Sequence, residues 1–310
     1  MASLEQTSAL FRSTVIRRRS VSVEHFEITL AVNGFPAAAP GQFIQLLHHE
    51  PHAFEMNQGD ANLIQFNTDT ISENPLLRRP FSIGALRRSG DQTEIDIIGR
   101  VIGIGTAWLD ALRVGNSVDF IGPLGTPFRL PPKNARAILV AGGVGLPPIR
   151  WLGMTLTDMG VDCRAIIGAQ RRELLPVIIK QKPTNFAEFQ HILGDFEPHP
   201  VHVIVTTDDG SFGMKGRVTD ALAPILCGTT EGELVQVFAC GPEPMLKAVG
   251  ELCEASNVSC QLAMERVMGC GMGTCQSCVV PVKDDAASDG WRYALCCREG
   301  PVFDSRVVIW

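Results

Sequence analysis

Ala137-Ile138-Leu139-Val140-Ala141-Gly142-Gly143-Val144-Gly145-Leu146-Pro147-Pro148 is a continuous apolar run that ends in a cluster of glycines. An apolar run without alternation reads as a strand buried on both faces, the glycines as a tight turn, and the stretch after them as a helix. Such a turn lets backbone approach a dinucleotide diphosphate and aims a helix N-terminus at it, so Gly142, Gly143, Val144 and Gly145 are candidate cofactor residues. The spacing departs from the G-x-G-x-x-G fingerprint, so this is not a standard Rossmann turn.

Downstream, further buried strands are expected at Cys163–Ile167, Val201–Val205 and Val235–Ala239, and their spacing indicates a parallel α/β sheet. Ligands bind at the carboxyl ends of strands in such sheets, and each expected end is polar or glycine-rich. The ends are Gly168-Ala169-Gln170-Arg171, Thr207-Asp208-Asp209-Gly210-Ser211 and Cys240-Gly241-Pro242. Asp208 and Asp209 favour NAD over NADP, because carboxylates repel a 2′-phosphate; Arg171 and Arg172 argue the other way, so NADP is not excluded. Cys240 reads either as a redox residue near a nicotinamide or as a small buried thiol.

Upstream, from Phe11 to about Phe128, short apolar alternations broken by Gly and Pro read as antiparallel strands forming a small barrel. Within it, Arg79 offers a cation for a pyrophosphate, Phe81 an aromatic face and Ser82 a hydroxyl, a set that suits a flavin nucleotide. Gly105-Thr106 opens a short helix through Leu112 whose free N–H groups suit a phosphate. Arg17-Arg18-Arg19 reads as a solvated strand edge. His48, His49 and His52 lie in a polar segment reaching Leu77, read as a surface insertion rather than a metal site because no carboxylate or further histidine has ligand spacing with them.

Toward the C-terminus, Cys270, Cys275 and Cys278 are spaced C-x4-C-x2-C, with a fourth cysteine at 296 or 297. This is the plant-type ligand spacing of a [2Fe–2S] cluster. Gly271 and Gly273 permit unusual backbone angles around a small anionic group. Zinc also takes four thiolates, but its structural sites usually pair short knuckles at both ends. Cys163, Cys227, Cys253 and Cys260 read as core or surface thiols.

The 310 residues fit two or three domains. We place the boundaries at 1–130, 131–258 and 259–310: an antiparallel β-barrel FAD domain, an α/β parallel-sheet NAD domain and a small [2Fe–2S] domain, an α+β multidomain chain. A net charge of −6 argues against nucleic acid as a partner, and no apolar run is long enough to span a membrane, so a cytoplasmic protein with reduced thiols is expected.

Taken together, Arg79-Pro80-Phe81-Ser82, Gly105-Thr106, Gly142–Gly145, Cys240-Gly241-Pro242 and the cysteine motif resemble the ferredoxin-NADP reductase superfamily. Within it, the pattern from Glu265 to Cys278, the run Cys297-Arg298-Glu299-Gly300-Pro301-Val302-Phe303 and the stretch Asp209–Thr219 are similar to the electron-transfer subunits of class 1B dihydroorotate dehydrogenases. The resemblance implies FAD contacts at Arg79, Pro80, Phe81, Ser82, Ile98, Gly99, Arg100, Gly105 and Thr106, and cluster ligands Cys270, Cys275, Cys278 and Cys297. Gly99 departs from a position often aromatic in that family. The implied activity is electron transfer from a dihydroorotate-oxidising flavoprotein subunit, through the cluster and FAD, to NAD+, with no acid or base catalyst in this chain and a heterotetramer as the assembly. Two other readings use the same residues: a reductase subunit of a sulfite reductase, hydrogenase or ferredoxin-linked complex, and a zinc-stabilised nucleotide-binding module.

Overall fold

The computed structural model describes residues 8–47, 77–230 and 232–310. The polar segment with His48, His49 and His52 lies outside the described residues. Seven strands form the first sheet: β1 (Ala9–Ser20), β2 (His25–Asn33), β3 (Phe43–Leu47), β4 (Arg79–Ser82), β5 (Ala85–Ser89), β6 (Gln92–Arg100) and β7 (Ser117–Leu124). They are ordered β4-β3-β7-β1-β2-β6-β5 and every pairing is antiparallel. β4 and β5 stand at opposite ends of that order, yet the chain passes between them through Ile83 and Gly84 alone. Two residues reach no further than ~7 Å, so the sheet curls its edges together into the expected barrel. Phe26, Ile28, Leu30, Ile95, Ile97 and Phe120 fill its interior.

The second sheet is ordered β11-β10-β9-β8-β12-β13-β16, from β8 (Arg136–Gly142), β9 (Asp162–Ala169), β10 (His202–Thr207), β11 (Met214–Lys215), β12 (Val235–Cys240), β13 (Ser259–Ala263) and β16 (Val302–Asp304). It is parallel except for β16. Helices α2 (Leu146–Asp158), α3 (Val218–Cys227) and α4 (Glu243–Ala255) cover it, while α1 (Ile104–Ala111) belongs to the barrel. A hairpin of β14 (Val279–Lys283) and β15 (Trp291–Leu295) carries the C-terminal unit. A boundary at 258/259 does not follow the backbone pairing. β13 and β16 continue the α/β sheet, and only the stretch between them leaves it, because β13 extends the apolar centre with Cys260 and Leu262.

β2 is buried along nearly its whole length, on both faces. One face lines the barrel; the other, with Glu27 and Thr29, is covered by α2. Arg150 of α2 is itself almost fully buried and donates through Nη1 to Glu27 (2.6 Å), through Nε to the Gly84 carbonyl (3.1 Å) and through Nη2 to Asp96 of β6 (3.5 Å). Asp96 also accepts from both Arg87 Nη atoms (2.7 Å each), the Thr29 hydroxyl (2.7 Å) and Arg17 (3.3 Å), and Arg19 pairs with Glu27. Burial pushes the Asp96 carboxyl up, but its bonds to Arg87 and the charge of Arg150 hold it below the usual range. At Arg17-Arg18-Arg19, β1 pairs with β2 alone, so the stretch is an edge, but its guanidinium groups are held by Asp96, Asp110 and Glu27.

Removing one member of a buried ionic set strands the others. Arg150→Met should destabilise the chain by roughly 3 kcal/mol in urea unfolding; a loss under about 1 kcal/mol, the scale of a surface pair, would show that the set does not hold the interface. Near the β1–β2 turn, burial and the Arg100 charge pull buried His25 down to about 4. Its folded value lies below the unfolded one, so the unfolded chain takes up the proton first and stability falls as pH drops from about 6.5 to about 4. A His25→Gln variant should show a flatter acid limb in that window, measured as Tm against pH.

Candidate functional site

The second sheet reverses direction at its centre. From β8 the chain runs outward through β9 and β10 to one side and then through β12 and β13 to the other. The switch point between β8 and β12 is where such sheets bind ligands. Two of the expected motifs meet there. A Cβ on Gly145 would lie 2.1 Å from the Cys240 carbonyl oxygen, and one on Gly241 would lie 3.1 Å from the Gly142 Cα. Only glycines let these two turns touch. Gly143, at φ +51°, meets nothing within 4 Å and leaves its backbone open beside half-exposed Val144. Pro242 starts α4 as its N-cap residue.

Neighbouring strand ends are laced to this edge. The Asp208 and Asp209 N–H groups donate to the carbonyls of Ala169 and Gln170. The Asp209 carboxylate accepts from the Ser211 hydroxyl (2.6 Å) and N–H (2.9 Å), bonds that lower its pKa. Ser211 in turn accepts from the Arg172 N–H. Asp209 therefore holds the loop together, while Asp208 presents an exposed side chain. Burial pushes the Cys240 thiol up and keeps it protonated.

The flavin motif occupies edge strand β4, with Pro80 opposite Gln45 and Phe81 opposite Ile44 of β3. An edge position tolerates proline, which has no N–H to give a second neighbour. Arg79 donates to the Leu77 carbonyl (2.5 Å), and its Nε lies 3.1 Å from where a Gly105 Cβ would stand. The guanidinium therefore rests on the first turn of α1, whose N–H groups have no intrahelical acceptor. Cation and helix N-terminus together form a cradle for an anion. The Thr106 hydroxyl is spent on that turn, accepting from the Ile102 and Gly103 N–H groups. Sequence reasoning passed over Arg78. Its Nη1 is buried without an acceptor among the described residues, and burial lowers the guanidinium pKa, as expected of a cation whose anion belongs to a ligand. Ile98 is buried, Arg100 is held by Glu24 (2.6 Å), and the space beside Gly99 is filled by Phe26, whose Cζ lies 2.5 Å from a Cβ built there. The residues present fit a flavin diphosphate through Arg79, Arg78 and α1 more clearly than through Gly99.

The four expected cluster thiols stand as two pairs. Cys270 Sγ accepts from the Cys275 N–H (3.3 Å) and the Met272 N–H (3.5 Å), and the Cys270 and Cys275 thiols interact. Cys278 and Cys297 lie buried in the same apolar cluster, and Cys278 raises the cost of charging Cys297. Two pairs suit two irons, each of which takes two protein thiolates. The Ser277 hydroxyl, 3.2 Å from Cys275 Sγ, draws that exposed thiol down to about 6, whereas burial pushes Cys297 up to about 12. Adjacent Cys296 is fully buried and donates to the Met264 carbonyl (3.5 Å). Gly271 and Gly273 both have positive φ, +72° and +93°. Their missing side chains make room for Gln45 and Arg298 respectively.

A curled antiparallel sheet with an anion cradle, a parallel sheet with a nucleotide turn and a cysteine loop between its last strands define a reductase of the ferredoxin-reductase fold. A solved NADH-dependent reduced ferredoxin-NADP oxidoreductase is similar in fold, with a TM-score of 0.70 at 23% identity over 96% of this chain and 90% of that one. Residues 265–309 match the model of the iron-sulfur cluster binding domain of dihydroorotate dehydrogenase B. The chain is 34% identical to the dihydroorotate dehydrogenase B (NAD(+)) electron transfer subunit of Geobacillus kaustophilus, over 96% of this chain and 98% of that protein. It is 30% identical to that of Streptococcus mutans, over 96% of each. The chain belongs to the family of dihydroorotate dehydrogenase B electron transfer subunits.

Arg79 tests the cradle. Charge-assisted bonds to a diphosphate contribute about 1.5–3 kcal/mol, so Arg79→Met should weaken FAD retention roughly 10–100-fold. Flavin release on dilution measures this, and wild-type retention would move the diphosphate elsewhere.

Proposed function

We propose that this chain takes electrons from a dihydroorotate-oxidising flavoprotein subunit and delivers them to NAD+, holding a [2Fe–2S] cluster at Cys270, Cys275, Cys278 and Cys297 and FAD against Arg79, Pro80, Phe81, Ser82 and the α1 N-terminus. The carrying observation is the cysteine loop seated against β3, the strand that pairs with the flavin motif, with the Met272 and Cys275 N–H groups aimed at Cys270 Sγ. When bound, the flavin exchanges hydride with a nicotinamide and single electrons with an iron–sulfur centre. The chain's residues supply placement. Gly142, Gly143, Val144 and Gly145 with Cys240, Gly241 and Pro242 receive the nucleotide at the switch point, and exposed Asp208 suits a ribose 2′-hydroxyl, which supports NAD over NADP. Zinc on the same thiols gives way to the cluster-domain match over 265–309.

Val267 is 86% exposed and Met272 44%, in the loop that carries exposed Cys275. Apolar side chains beside the cluster support this face as the contact for the catalytic subunit. A heterotetramer with that subunit is the assembly we infer, and the cytoplasm the compartment. Among the described residues no helix is long and apolar enough to cross a membrane.

Anaerobically purified protein should contain FAD and two irons per chain and bleach with NADH. Cys297→Ser should lose the cluster absorbance and keep FAD, whereas Cys296→Ser should keep both. Native mass spectrometry of the pair co-expressed with a catalytic subunit reads the assembly. Zinc in place of iron, or a Cys297→Ser protein with an intact cluster spectrum, would sink the assignment.

A further inference from the structure

Gln45 is a fully buried polar residue on β3, between Pro80 of β4 and Ile121 of β7. A buried amide needs partners for both ends. It finds them outside the barrel. As the side chain stands, its oxygen faces the Cys270 carbonyl and its nitrogen faces the Gly271 N–H, like against like. With the amide turned over, the nitrogen donates to that carbonyl (3.2 Å) and the oxygen accepts from that N–H (3.3 Å), and this orientation is assigned because it alone satisfies both ends. One side chain thus gives the loop the donor and acceptor that a neighbouring strand would give.

The fit is reciprocal. A Cβ on Gly271 would lie 2.5 Å from the Gln45 Cδ and from the nearer end of its amide, and the φ of +72° there is one that L side chains rarely adopt. A glycine in the cysteine loop and a glutamine in the barrel therefore specify each other across the domain boundary. Packing alone would ask for an apolar side chain at 45, as at Phe43 on the same face of β3.

We propose that Gln45 is a positioning residue: its amide clamps the backbone at Cys270 and Gly271 to the strand paired with the flavin motif, fixing the cluster loop relative to the flavin. The proposal rests on the reading of Cys270 as a cluster ligand and of β4 as the flavin strand. A site stays in productive geometry only when supporting hydrogen bonds lock what holds it. Gln45 touches both elements, so it sets their separation without taking part in the chemistry.

Two variants of the full-length, anaerobically purified protein test this. Gln45→Met keeps length and volume but neither hydrogen bond. Gln45→Glu keeps the acceptor for the Gly271 N–H, loses the donor to the Cys270 carbonyl and adds a negative charge. Gln45→Met should retain FAD and two irons, with amide hydrogen exchange across 270–275 faster by about tenfold, the loss of one or two net hydrogen bonds. Its reduced cluster should show a broadened electron paramagnetic resonance spectrum, and flavin–cluster equilibration after NADH should slow while the first reduction of flavin keeps its rate. Gln45→Glu should lower the cluster's reduction potential, because a nearby negative charge opposes the incoming electron. Should Gln45→Met give no folded protein, the Gln45→Glu potential decides. Unchanged exchange, spectrum and potential in variants of a wild type that does hold FAD and two irons would overturn the role of Gln45 alone. A wild type lacking either cofactor would overturn the site itself.

Discussion

The buried guanidinium of Arg150 is the interaction on which the arrangement of the two sheets depends. It extends from the helix that follows the nucleotide turn to the outer face of the flavin barrel, where Glu27, the Gly84 carbonyl and Asp96 receive it. Taking these charges out of water costs several kcal/mol per ion, and only the full set of partners offsets that cost. The set tolerates few alternative geometries for the same reason. Trp151, next in the helix, packs into the barrel core, while Leu146, Ile149 and Leu152 pack under the parallel sheet. One helix is therefore shared between two cores, with a directional polar anchor at their seam. A purely apolar seam would leave the sheets freer to slide.

From that anchor the geometry propagates through close approaches at glycines. Gly84 lies under Arg150 and Pro147, Gly145 lies against Cys240, and Gly125 lies against Pro301 at the junction of barrel and C-terminal unit. The Thr126 N–H donates to the Gly300 carbonyl at 2.6 Å, and the Gln261 amide bridges to the Arg129 backbone. Flavin barrel, nucleotide sheet and cysteine loop are thus joined by short polar contacts at each seam. A chain whose role is to hold two redox groups and a nucleotide at fixed separations needs this kind of joint, because its residues contribute position rather than bonds to the substrate.

What the sequence made legible follows from the range of its signals. The β8 run, the glycine turn and the C-x4-C-x2-C spacing are local, and local chemistry dictates what they become. Arg17-Arg18-Arg19 does sit at a strand edge, but the acids that hold it, Asp96, Asp110 and Glu27, stand on other elements and leave no local signal. The boundary at 258/259 followed function along the chain, whereas β13 and β16 enclose the cysteine loop within the sheet's own backbone pairing. Gly99 looked like a lost aromatic contact, and only the β2–β6 register places Phe26 against it. Gln45 and Arg78 carried no sequence signal. A lone glutamine in a strand, or the arginine beside a more familiar one, becomes informative only through burial and partners.

The cysteines show the same limit from another side. Cys253 and Cys260 also form a thiol pair, buried between α4 and β13, with the Cys253 thiol and then burial pushing Cys260 up. Pairing alone therefore does not define a ligand site. Around Cys270 the difference is the backbone. Met272 and Cys275 aim N–H groups at its sulfur, and the positive φ of Gly271 and Gly273 turns the loop so that they can. Oriented N–H dipoles favour the thiolate and lower the cost of placing negative charge there, while the apolar walls around Cys253 offer none. The expected ligand thiols and the core thiols share one residue type and, at Cys278 and Cys297, one degree of burial; at Cys270 the loop conformation that supplies donors makes the difference, and glycine is its trace in the sequence.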